Sequence, residues 1–214
     1  MALTFYYGSG SPYAWRVWLA LEHKSISYEQ QILSFSAGDL SKPEFAALNP
    51  RCKVPCIVDD GFALYESVAI LEYLDERYPG GQGLFPGDVR ERAVVRRMVQ
   101  EADQYYASTM ERLVDQILFT PQEQWNTERI ARARVGLAEE TRRWETLMRG
   151  AFLAGPQVSA ADFTLYPLIA LTLRMQRRKP DLDAKGLIGP RLRAWMEQIE
   201  ALPYFDKTIP PHWK

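Results

Sequence analysis

An α/β domain followed by an all-helical domain is what this 214-residue sequence predicts. Three observations carry that expectation. Short apolar, strand-like runs fall only in the first third of the chain. A glycine- and proline-rich stretch, PGGQGLFPGD, interrupts the pattern at residues 79–88. Beyond it, apolar residues recur at three- and four-residue spacing, the period of helices that bury one face. With 47% hydrophobic and 25% charged residues, the chain is globular and long enough for two small domains. The boundaries read as 1–80 for the α/β domain, 81–88 for a linker and 89–214 for the helical domain.

The first strand is Leu3 to Tyr7, LTFYY, which ends at a Gly8-Ser9-Gly10 turn. Ser11 before Pro12 is an N-cap followed by a proline in the first helical position, where its missing N–H costs nothing. Val17, Leu19, Ala20 and Leu21 carry that helix to about His23. Ile26 to Leu33 alternates weakly as a second strand, and a short helix over Pro43 to Leu48 leads to Asn49-Pro50. A third strand opens at Lys53-Val54-Pro55. Asp60-Gly61 marks a tight hairpin turn into a return strand, Phe62 to Tyr65. From Ser67, a helix keeps Val68, Leu71, Leu74 and Tyr78 at helical spacing. The order β-α-β, α, β-β-α, with a proline at the start of the third strand, is that of a thioredoxin-like domain.

In the second domain Val94, Met98, Ala102, Tyr105, Thr109, Leu113 and Ile117 step down one long helix that Pro121 ends. Another helix spans about Thr127 to Gly150, with Leu137, Thr141, Trp144 and Met148 inward. The next has a defined start: Ser159 as N-cap, Asp162 three residues on, and Val158 placed to pack against Phe163. Gly189-Pro190 begins a last helix through Leu192, Trp195 and Ile199. An aromatic tail, PYFDKTIPPHWK, closes the sequence.

Residues 51–78 are the most informative for function. Pro55 has no N–H and biases Val54 toward extended geometry, so the Val54 backbone is suited to pair with an extended ligand. One hairpin later, Ser67 opens a helix whose N-terminal N–H groups suit a carboxylate, and Glu66 beside it suits an ammonium. Together they read as a site for a small peptide bearing a free α-amino acid end.

Composition excludes several alternatives. A formal charge of −1 gives no pull toward nucleic acid or an anionic membrane, and Arg90, Arg92, Arg96 and Arg97 read as a solvated helix face. No run approaches the ~20 apolar residues of a membrane span, and the N-terminus lacks the pattern of a secretory leader; a cytosolic location is expected. Two histidines, His23 and His212, and two cysteines, Cys52 and Cys56, build neither a metal site nor a disulfide framework. Cys56 alternates with Val58 and reads as core, whereas Cys52, in a loop, is the more reactive thiol.

With Lys53-Val54-Pro55, Tyr65-Glu66-Ser67, the capped SAADFTLYP segment, the N-terminal SPYAWRV and the proline linker all in order, the whole chain resembles a cytosolic glutathione transferase of the serine type. Its motifs are similar to those of the tau, phi and omega classes. The resemblance implies a cis Pro55, a Val54 backbone paired with the cysteinyl unit of glutathione, Glu66 and Ser67 on the γ-glutamyl end, and Lys53 facing the glycyl carboxylate. It also implies glutathione as co-substrate, a hydrophobic electrophile as partner, a homodimer, and no metal.

Ser11 stands where the tau and phi classes place the serine that meets the sulfur, five residues before Arg16-Val17. A hydroxyl donor at a helix N-terminus lowers the pKa of a thiol that is otherwise near ~8.5. The competing reading makes Ser11 a plain N-cap, with Ser9, Tyr6 or Tyr7 as the sulfur partner. Ser11 and Ala14 occupy positions where glutaredoxins have cysteines, so mixed-disulfide chemistry is not expected there. Cys52 stands where the family usually has glycine, and Lys42 lies one residue from the usual basic position. In this family the second substrate lies between the domains, which singles out Tyr13, Tyr106 and Met110, although Tyr106 and Met110 read equally as helix core. Asp103 resembles an acidic residue that in some classes reaches the partner subunit's glutathione. A glutathione-dependent peroxidase or dehalogenase, and a non-catalytic transferase-like binding module, are the alternatives.

Overall fold

The computed structural model describes residues 3–214. The chain forms two compact units, one ending at Pro86 and taking in Pro203–Lys214, the other spanning Gly87–Leu202.

The first unit is built on a four-stranded mixed sheet in the order β2-β1-β3-β4. Strand β1 (Leu3–Tyr7) runs parallel to β2 (Tyr28–Ile32) and antiparallel to β3 (Cys56–Asp59), which pairs antiparallel with β4 (Phe62–Tyr65). A parallel pair needs a crossover, and helix α1 (Pro12–His23) supplies it. Leu3, Phe5 and Tyr7 alternate inward along β1 and are buried, as are Val17 and Leu21 of α1 and Ile70, Leu71 and Leu74 of α3 (Ser67–Arg77), which packs on α1. Asp60 and Gly61 turn the hairpin with φ of 50° and 85°, the left-handed pair that a two-residue hairpin turn requires. Edge strand β2 is shorter than the Ile26 to Leu33 run and exposed over most of its length, which explains its weak alternation. Helix α2 (Pro43–Leu48) starts at its proline as expected.

The aromatic tail does not join the helical domain to which residues 89–214 are assigned by periodicity. It folds onto the first unit. Trp15 Nε1 donates to Thr208 Oγ1 at 3.0 Å, the Trp15 ring meets Trp213 edge-on at 5.2 Å, and His23 Nδ1 lies 2.7 Å from the Tyr204 hydroxyl. Helical spacing along α1 carries no information about the distant segment that covers Trp15.

In the second unit, helix α4 (Val89–Glu101) begins with a capping box that the linker assignment passed over. Asp88 Oδ1 accepts from Arg90 N and Glu91 N, and Glu91 Oε2 accepts from Asp88 N. The predicted single long helix is interrupted by a π-helical turn at Ala102–Ala107 before α5 (Ser108–Ile117). The wider turn shifts the inward register by one residue. Tyr105, placed inward by spacing, is 54% exposed, and Tyr106 takes its place in the core. Helices α6 (Thr127–Leu147), α7 (Ala160–Met175), α8 (Ala184–Leu187) and α9 (Pro190–Glu200) complete the unit.

Helix α7 is buried all round over Ala160–Thr172, so it is the central helix of the unit. At its start Asp162 Oδ2 accepts from the backbone N–H and hydroxyl of Ser159, while Oδ1 accepts from Leu153 N and Trp195 Nε1, all at 2.8 Å. The local signal Ser-x-x-Asp therefore also ties α9 and the loop before α7 to one buried carboxylate.

Candidate active site

Strand register brings the candidate residues of the first unit to one end of the sheet. Tyr6 pairs with Cys56, and Cys56 pairs with Tyr65. The chain therefore leaves β1 at Tyr7–Gly8, enters β3 from Val54–Pro55 and leaves β4 at Glu66–Ser67, all at that same end of the sheet. The turn to Ser11 starts from the first of these segments, so residues more than forty positions apart in sequence share one edge.

Each segment is held by local chemistry. Ser11 N donates to Gly8 O at 3.1 Å and closes the turn; Ser11 is the N-cap of α1, its Oγ accepting from Ala14 N at 3.2 Å. Accepting a bond leaves the hydroxyl hydrogen for another acceptor, so the N-cap role and a sulfur-facing role are compatible in one side chain. The Val54-Pro55 peptide is cis, and Val54 lies just outside the ladder that starts at Cys56. The loop before it is braced by Asn49, which is buried: Nδ2 donates to Lys53 O at 2.6 Å and Oδ1 accepts from Arg51 N at 2.9 Å. Asn49-Pro50 reads as a plain loop in sequence, and nothing local marks the asparagine as the residue that shapes Lys53 and Val54. Glu66 has a φ of 69°, a strained conformation for a side-chain-bearing residue. It turns the chain so that Ser67, buried, becomes the first residue of α3 while Glu66 stays exposed. Lys53 is exposed as well.

Both tyrosine rivals of Ser11 pack within the first unit, while Ser9 bonds the C-terminal tail. Tyr7 is buried, stacks on Phe5 at 5.4 Å and directs its hydroxyl to Gln30 Oε1 at 3.4 Å; burial also raises its pKa. Tyr6 packs on Phe45 at 5.9 Å. Ser9 Oγ lies 2.6 Å from His212 Nδ1 in the C-terminal tail. Burial pushes the Cys56 thiol up to about 11, which fits a core residue, while Cys52 is half-buried with φ of 52°.

The expected pocket residues of the second unit are corrected. Tyr106 is fully buried and donates to Thr172 Oγ1 at 3.2 Å, and Met110 is buried beside the same helix core, α5 packing on α7. Both fill the interior of the helical unit, because the π-helical turn rotates them inward. Tyr13 is half-buried on α1 with the Arg16 guanidinium 5.0 Å from its ring centroid. Asp103 is half-buried within the π-helical turn. Among the described residues no cluster of three His, Cys, Asp or Glu side chains is arranged to hold a metal ion.

A mixed β2-β1-β3-β4 sheet with a cis-proline loop beside a helix start defines a thioredoxin-like domain, here joined to a helical domain. Residues 10–77 match the family model for the glutathione S-transferase N-terminal domain, and residues 127–198 match that for the C-terminal domain. Glutathione S-transferase A of Pleuronectes platessa is 27% identical over 219 residues, which span 99% of this chain and 92% of the relative. The crystal structure of a glutathione S-transferase from the Antarctic clam Laternula elliptica is 30% identical, covers 100% of this chain and 94% of its own, and superposes with a TM-score of 0.80. A theta class enzyme from Xanthomonas axonopodis pv. citri, solved with glutathione bound, is 25% identical over 97% of each chain with a TM-score of 0.82. The chain belongs to the glutathione S-transferase family.

Proposed function

We propose that this protein binds glutathione at the Ser11, Val54 and Glu66 edge and conjugates it, through its thiolate sulfur, to a small, mostly apolar electrophile. The observation that supports the reading is that the three segments flank the same end of the sheet; on this reading each serves one part of the tripeptide. Glu66 and the α3 N-terminus at Ser67 take the ammonium and carboxylate of the γ-glutamyl end. The Val54 backbone, held outside the ladder next to Pro55, pairs with the cysteinyl unit. Lys53 faces the glycyl carboxylate. The Ser11 hydroxyl, at the N-terminus of α1, donates to the sulfur and stabilises the thiolate.

The chemistry follows from that placement. The thiol proton leaves to solvent, the thiolate attacks an electrophilic carbon, and a C–S bond forms as the leaving group departs with its electron pair or as the adjacent carbon takes up a proton. Ser11 need not lose its own proton, so no histidine base is required. Support for an apolar acceptor comes from Ile32 and Phe35, each more than half exposed; together with Ser9 and His212 they line a cleft of about 560 Å³ in the first unit. A cytoplasmic homodimer completes the reading, as the family resemblance implies; no helix of the described residues is long and apolar enough to cross a membrane. Titration calorimetry with glutathione, followed by turnover of a chloronitroarene, tests the proposal. Absence of glutathione binding overturns it, and binding without turnover of any electrophile would reduce the protein to a binding module.

A further inference from the structure

The C-terminal tail returns to the same turn that holds Ser11. Gly10 has a φ of 86°, and a β-carbon there would come within 2.7 Å of the His212 imidazole, so the ring lies directly on the turn's backbone. Beside the same turn, Trp213 Nε1 donates to His212 Nε2 at 2.9 Å. An indole N–H is only a donor, so Nε2 is the accepting nitrogen and the ring proton of the neutral imidazole sits on Nδ1. Nδ1–H then donates to Ser9 Oγ across 2.6 Å. Ser9 is an acceptor in that bond, and its own hydroxyl hydrogen is directed elsewhere. Ser9 and Ser11 line one small crevice together with Tyr7 and Pro210.

Resting on the proposed glutathione site, we propose that His212 is a positioning residue for the thiolate: it orients Ser9 as a second hydroxyl donor to the sulfur, alongside Ser11. The chain Trp213 to His212 to Ser9 runs one way, each member donating to the next, and polarisation along such a chain makes the terminal hydroxyl a better donor. The turn contributes two hydroxyls at one helix N-terminus, and the last residues of the chain decide how one of them points. No local pattern in the sequence joins position 9 to position 212.

The test uses the full chain and titrates the bound glutathione thiol by its thiolate absorbance. His212→Phe keeps an aromatic ring over Gly10 but removes the donor. His212→Asn places an amide N–H where Nδ1 is and serves as the conservative rescue. We expect the phenylalanine variant to hold about tenfold less thiolate at a pH below the wild-type pKa, with KM for glutathione within about twofold, and the asparagine variant to recover most of the loss. Ser9→Ala should match His212→Phe, and the double variant should be no worse than either alone, since both break one chain. An unchanged thiol titration in His212→Phe, or additive losses in the double variant, would overturn the assignment. If the wild-type protein binds no glutathione, the site reading falls together with it; if it binds and only the His212 variants are silent, this inference alone fails. A His212→Phe chain that loses helical content is replaced by Ser9→Ala, which leaves the tail in place and whose unchanged titration equally overturns the assignment.

Discussion

On the proposed reading, Ser11 performs two tasks whose energies separate by substitution. As N-cap its Oγ accepts from Ala14 N at 3.2 Å; alanine there costs about 1 kcal/mol of stability, glycine only a few tenths. As sulfur partner its hydroxyl donates to an anion, a bond that contributes about 1.5–3 kcal/mol, or roughly 1–2 pKa units at 1.36 kcal/mol each. Ser11→Gly should therefore fold nearly as stably as the natural chain yet raise the pKa of bound glutathione by 1 unit or more. Below that pKa the thiolate fraction, and with it kcat, falls about 10- to 100-fold; at alkaline pH the two proteins converge. Ser11→Thr retains both tasks and should keep most of the activity. Thiolate absorbance against pH in the glutathione complex, paired with turnover over the same range, gives the readout. A Ser11→Gly protein whose bound thiol titrates at the wild-type pH would refute the reasoning and leave Ser11 as a helix cap only.

Three further outcomes follow from the same contacts. Asp162→Ala strips the acceptor from four buried donors, Leu153 N, Ser159 N, Ser159 Oγ and Trp195 Nε1; after relief of the carboxylate's own desolvation, we expect a loss of about 3–5 kcal/mol in urea unfolding, and a loss under 1 kcal/mol would contradict the hub. Burial, with Lys24 nearby, lowers the His23 pKa to about 4 from its ordinary 6.5. The unfolded chain then takes up a proton that the folded chain refuses, so this stability is complete above pH 6.5 and drains as pH falls to 4; allowing for screening of the half-buried ring, on the order of 2 kcal/mol is at stake, and His23→Gln should flatten the slope of unfolding midpoints across that window. Asn49→Ala frees the Lys53 carbonyl, and glutathione KM should rise about three- to tenfold with kcat held, because the loop positions substrate and not the sulfur; a change in kcat alone would place Asn49 in a different role.

Much of this protein is legible from local chemistry. Asp60-Gly61 specifies a turn because few residues tolerate two positive φ values in succession, and Ser11-Pro12 and Ser159-x-x-Asp162 specify helix starts because their side chains satisfy N–H groups within three residues. The boundaries of β1, β4, α2 and α9 follow for the same reason: the forces that set them act over a few residues, and the sequence displays those residues together. Tyr105 and Tyr106 show where this ends. Spacing assigned the inward face on the assumption of a constant period, and one π-helical turn, chosen by packing against α7, moved it by a residue.

What tertiary structure alone decided is which distant segments meet. Register at Tyr6, Cys56 and Tyr65 puts the segments that lead to Ser11, Val54 and Glu66 at one end of the sheet, and the tail bearing His212 lies on Gly10 instead of the helical domain. Residue types at each of these positions were readable one by one. Their meeting was not, because it depends on sheet pairing and on an aromatic contact between Trp15 and Trp213, and neither leaves a periodic trace in the chain.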